Sequence, residues 1–62
     1  MLENNYMKVY VKLMIENVTF SSYKSNNSYI INTDENKIII TDNKCVLNDI
    51  VFDSAEELIK NI

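Results

Sequence analysis

Between residues 6 and 15, YMKVYVKLMI, the strongest apolar side chains fall on every second position. Met7, Val9, Val11, Leu13 and Ile15 share one parity, while Tyr6, Lys8, Tyr10, Lys12 and Met14 share the other. A period of two is that of a strand with one face buried, so the segment is expected to be a strand. Glu16-Asn17 then offers a two-residue turn into VTFSSYK, residues 18 to 24, because Asn tolerates the left-handed backbone of a tight hairpin. SNN at 25 to 27 reads as a loop, Ser28 to Thr33 as a strand, and residues 34 to 36 as a turn into the strand Lys37 to Thr41. Residues 42 to 44 turn the chain again, and CVL and IVF follow as short strands around an Asn48-Asp49 reversal.

The period changes after residue 53. Ser54 and Glu57 have capping-box spacing, and Ala55, Leu58, Ile59 and Ile62 lie at i, i+3, i+4 and i+7. Asp53, Glu56 and Glu57 put negative charge at the positive end of the helix this predicts over residues 54 to 61. The expected fold is α+β: a small antiparallel β-meander of four to six strands with one C-terminal helix packed on the sheet, forming a single domain over residues 1 to 62.

Composition narrows the chemistry. The chain has no His, no Gly and one cysteine, Cys45. Imidazole acid/base catalysis, His-ligated metals, phosphate-cradling glycine loops and multi-cysteine metal centres are therefore excluded within one copy. A 62-residue domain also leaves little room for an enclosed catalytic cleft. No catalytic residue, metal site or cofactor is expected. Apolar residues at 47% and charged ones at 24% are globular proportions, so the chain should fold. With no apolar run near the roughly 18 residues that cross a bilayer, and no leader-like start, a soluble cytoplasmic protein without a membrane partner is expected. Asn, Ile, Lys and Tyr supply 29 residues, whereas Gly, Pro and Arg supply none and Ala one, a bias of AT-rich coding DNA such as that of low-G+C bacteria and their phages.

Three groups could carry function. Asp34, Glu35, Asp42 and Asp49 sit in predicted turns, where Asp forms turns in its own right and where an acidic surface could face a basic partner. Cys45 opens a predicted strand with only Lys44 beside it, the setting of a small core residue more than of a reactive thiol. Tyr6, Lys8, Tyr10 and Lys12 would interleave rings and ammonium groups on one strand face. Such a face suits protein binding through aromatic anchors, or the stacking and phosphate contacts of a single-stranded nucleic-acid binder. Residues 1 to 31 carry three Lys against two acids, and residues 32 to 62 three Lys against seven. With a net charge of −3 and no Arg, phosphate binding is the weaker of the two.

The expected function is accordingly a non-enzymatic protein-interaction module. A phage or mobile-element inhibitor that binds and blocks a host enzyme is one form of it, and a single-stranded nucleic-acid binder is the alternative. A homo-oligomer is expected as well, because a meander leaves two edge strands unpaired and a core this small gains from a second copy.

Overall fold

Four tight connections organise the middle of the chain. The computed structural model describes residues 2–62. Strands β1 (Phe20–Ser25), β2 (Ser28–Thr33), β3 (Lys37–Ile40), β4 (Cys45–Leu47) and β5 (Ile50–Phe52) pair in sequence order as an antiparallel meander. The turns use Asn and Asp where other chains use Gly. Asn26 has φ 55°, and Asn48 and Asp49 have φ 50° and 73°, so the reversal between β4 and β5 has the two left-handed residues of a type I′ hairpin. At the turn between β2 and β3, the Thr33 hydroxyl accepts from the backbone N–H groups of Glu35 and Asn36.

Register sorts the side chains onto two faces. Ile31, Ile38, Ile40, Cys45 and Leu47 point inward and are buried. The outward face holds a single apolar row that crosses every strand: Tyr23, Ile30, Ile39, Val46 and Val51 stand opposite one another in turn. Ser21, Asn32 and Lys37 flank this row on one side, and Ser25 and Ser28 on the other. The open face is thus polar, apolar and polar in successive rows, and cross-strand pairs of β-branched residues stabilise it without a covering layer.

Two helices cover the inner face. Helix α2 (Ala55–Ile59) begins where the capping spacing places it: Ser54 is the N-cap in extended backbone, and its Oγ accepts the Glu57 N–H at 3.2 Å. The Glu57 carboxylate does not complete the box but lies 3.7 Å from the Lys60 ammonium. Ala55 and Leu58 are fully buried, and Ile59 is half-buried.

The second helix corrects the sequence-based expectation. Residues 6–15 are not a strand: they lie in α1 (Leu2–Ile15), and no hairpin joins them to residues 18–24. At 100° per residue, Leu2, Tyr6, Val9 and Leu13 form one stripe, and Leu2, Val9 and Leu13 are buried against the sheet. Alternation misled because Tyr6, Tyr10 and Met14 on the supposedly polar parity are themselves largely apolar. The only charged residues of the segment, Lys8 and Lys12, are four apart, which is a helical spacing. Asn17 is left-handed as expected, with φ 60°, but it closes a helix. Its N–H donates to Met14 O at 3.1 Å, and the Val18 N–H donates to Leu13 O at 3.0 Å, the pair of bonds of a Schellman cap. A sixth strand would have left the inner face bare, since the five residues of α2 cannot cover it alone.

Two outcomes follow from the core. Leu58→Ala should lower unfolding free energy by about 2–5 kcal/mol in denaturant titration, and a loss under about 0.5 kcal/mol would mean that α2 is not docked. Replacing Tyr6 and Tyr10 together by Ala should also destabilise the fold measurably, because both rings pack beneath α1; an unchanged melting temperature would contradict that packing.

Candidate interaction surface

The helix distributes its aromatic and cationic residues to opposite sides. Tyr6 and Tyr10 turn toward β1 and β2, where Tyr6 stacks on Tyr29 of β2 with ring centroids 4.0 Å apart and Tyr10 meets Phe20 of β1 edge-on at 5.2 Å. The Tyr6 hydroxyl shares a hydrogen bond of 2.8 Å with Ser22 Oγ, and Lys24 lies 5.6 Å from the Tyr29 ring centroid. Aromatic pairs of this kind add to the packing between helix and sheet. Lys8 and Lys12 leave the helix on the other side, toward α2. The interleaved platform expected of Tyr6, Lys8, Tyr10 and Lys12 therefore does not assemble: the rings cement the fold and the ammonium groups border a different surface.

That surface is an open apolar depression of about 560 Å³ between the helices, lined by Met7, Val11 and Ile15 of α1 and Ile59 of α2, with Lys8, Lys12 and Glu56 at its rim. Met7 is 50% exposed, Val11 46% and Ile15 74%. Positions 7, 11 and 15 are successive i+4 neighbours, so they form a stripe roughly opposite the buried one. Helix α1 is consequently apolar on two faces, of which the fold uses one. The second was concealed in the sequence because the same residues also fit the strand pattern; reading the segment at a helical period would have separated the stripes.

Charges at the rim cancel in pairs. The Lys8 ammonium bonds the Glu56 carboxylate across the two helices, and Lys12 lies 3.4 Å from Glu16. The hydrogen bond from Lys8 holds the Glu56 carboxyl below its ordinary range. Cys45 lies beneath, wholly buried; burial pushes its thiol up, the nearby Glu56 charge adds to this, and Lys8 opposes it. A thiol kept neutral and covered is not a nucleophile.

The acidic residues do not gather into one site. Asp34 and Glu35, in the turn between β2 and β3, border a shallow polar hollow with Val18, Thr19 and Thr33. Asp49 lies in the turn between β4 and β5, at the same end of the meander, where Asn48 Nδ2 donates to Asn36 Oδ1 at 2.7 Å. Asp42 belongs to the turn at the opposite end. Among the described residues no group of His, Cys, Asp and Glu is arranged to hold a metal ion, and no helix is long and apolar enough to cross a membrane.

Because the folded-state carboxyl of Glu56 titrates below its unfolded value, its pairing with Lys8 stabilises the fold above the ordinary carboxylate range, and the effect is lost as pH falls through the depressed value. Glu56→Gln should therefore melt slightly below wild type at pH 7 and converge with it at a pH low enough to protonate the paired carboxyl, a small difference that added salt also erases. Melting curves that differ equally at both pH values would place the effect outside this pair. No family model, no curated protein and no solved structure matches the chain, so the functional conclusion rests on the geometry of this surface.

Proposed function

We propose that this chain is a non-catalytic protein-interaction module and that the depression between α1 and α2 is its contact surface. The observation that carries the proposal is the second apolar stripe of α1. Met7, Val11 and Ile15 stand exposed and contiguous with Ile59, although the fold does not need them there. Exposed apolar residues scattered singly are ordinary, but a contiguous set with a polar rim is the anatomy of a binding site. The rim pairs Lys8 with Glu56 and Lys12 with Glu16, so the surface offers no net charge to a phosphate backbone. Its partner is accordingly a protein that presents an apolar ridge. An inhibitor that occludes a host enzyme, phage-borne or carried by a mobile element, is the sharper form of this proposal, supported by small size and an AT-rich coding bias.

A salt titration and a pair of substitutions test the proposal. Val11→Asp and Ile15→Asp change exposed side chains, so each variant should keep its stability to within about 0.5 kcal/mol. Each should bind the wild-type partner at least about tenfold more weakly in calorimetry. Binding that falls tenfold or more between about 50 and 200 mM salt would instead identify nucleic acid as the ligand. Folded variants that retain full affinity would remove the depression as the contact surface.

A further inference from the structure

Strand β1 forms one border of the sheet, and its pairing with β2 determines which of its backbone groups are in use. Asn26-Asn27 is a two-residue connection, so Ser25↔Ser28 closes the hairpin as a hydrogen-bonded pair. Alternation along an antiparallel ladder makes Tyr23↔Ile30 and Ser21↔Asn32 the next such pairs. On the other side of β2 the Thr33 N–H donates to Asn36 O at 2.9 Å, in phase with this assignment. The N–H and C=O groups of Ser22 and Lys24 therefore point away from the sheet.

Exposed edges are ordinarily guarded by brevity, charged side chains, proline, a bulge or a covering element. The opposite border, β5, is three residues long and packs against α2. Of these guards β1 has one, the charge of Lys24, and the Tyr6 and Tyr10 side chains of α1 meet its inner face at Ser22 and Phe20. The strand runs six residues, pairs residue for residue with β2 from Phe20↔Thr33 to Ser25↔Ser28, contains no proline and is exposed from Ser21 to Lys24. The apolar row of the open face ends on it at Tyr23, which is 54% exposed.

We propose that β1 pairs with β1 of a second copy of this chain, antiparallel across a two-fold axis, joining the two sheets into one. Keeping both helix layers on the same side requires paired residues of equal parity. The register that sets Tyr23 beside Tyr23 of the second copy places Ser22 opposite Lys24 and Ser21 opposite Ser25. In that register the outward backbone groups of Ser22 and Lys24 satisfy each other, and each lysine faces a serine in place of another lysine. The two apolar rows meet at the tyrosines, in the ladder position where side chains approach most closely. Backbone phase, charge and apolar row all close on themselves under one operation, and this self-complementarity selects a second copy over an unrelated extended peptide. The contact is separate from the depression between the helices, so either can fail without the other.

Light scattering after size exclusion at micromolar concentration should give twice the 7.3 kDa chain mass for wild type. Tyr23→Lys, which sets two ammonium groups face to face at an exposed position, should weaken dimerisation by about tenfold or more with unchanged circular dichroism. Val11→Lys, in the depression between the helices, should leave the dimer intact. Mild oxidation of Tyr23→Cys should yield a disulfide-linked dimer, since opposed strand residues lie within bridging distance, and Ser22→Cys should not. The buried Cys45 does not compete. A monomeric wild type, a Tyr23→Lys protein that stays dimeric, dissociation by Val11→Lys, or cross-linking through Ser22→Cys in place of Tyr23→Cys would each overturn the proposal.

Discussion

One constraint organises the molecule: the inner face of the meander must be kept dry. Ile31, Ile38, Ile40, Cys45 and Leu47 present a wide apolar surface, and a sheet hydrophobic on one face is stable only against a second layer. Val9 and Leu13 from one end of the chain and Ala55 and Leu58 from the other supply that layer. Each helix alone is too small for the task, so the two meet over the sheet, and the ion pair of Lys8 with Glu56 lies where they meet. The depression beside it is a by-product of that junction. Two cylinders laid side by side on a narrow sheet leave a groove between them, and here its walls are apolar.

The strands from residue 28 onward were legible because short apolar runs lie between clear, regularly spaced turn signals. Ser28 to Thr33, CVL and IVF lie where their spacing puts them, and Ser54 caps the final helix as its neighbours indicate. The first helix was not legible, for a physical reason. Local pattern reports which faces a segment can bury, and a segment that is apolar on two helical faces also satisfies a strand period. Only the tertiary demand for a covering layer decides between them, and that demand arises from residues 20 to 52. The same ambiguity hid the depression, since Met7, Val11 and Ile15 were assigned with Val9 and Leu13 to one surface that the helix divides.

Asparagine stands in this chain for the missing glycine. Asn17, Asn26 and Asn48, together with Asp49, occupy left-handed backbone that glycine would enter without strain. Asn48 shows what the chain obtains in exchange. Its Oδ1 accepts the Lys37 N–H at 2.9 Å and its Nδ2 reaches Asn36, so one side chain ties two neighbouring turns together. A glycine would turn the chain equally well and would tie nothing.

Pairing every strand with its immediate neighbour in sequence has a kinetic consequence. Each ladder of the meander closes a connection of only two to four residues, so little loop entropy opposes its formation. Hairpins of this kind form in about 1–10 μs, whereas the docking of α1 joins residues as far apart in sequence as Lys8 and Glu56. The sheet can therefore be assembled locally while its inner face still waits for the amino-terminal helix. In that interval Ile31, Ile38 and Ile40 are open to water, and the species exposed is a twisted apolar sheet without a lid. Escape from aggregation then depends on how quickly residues 2 to 15 swing across it.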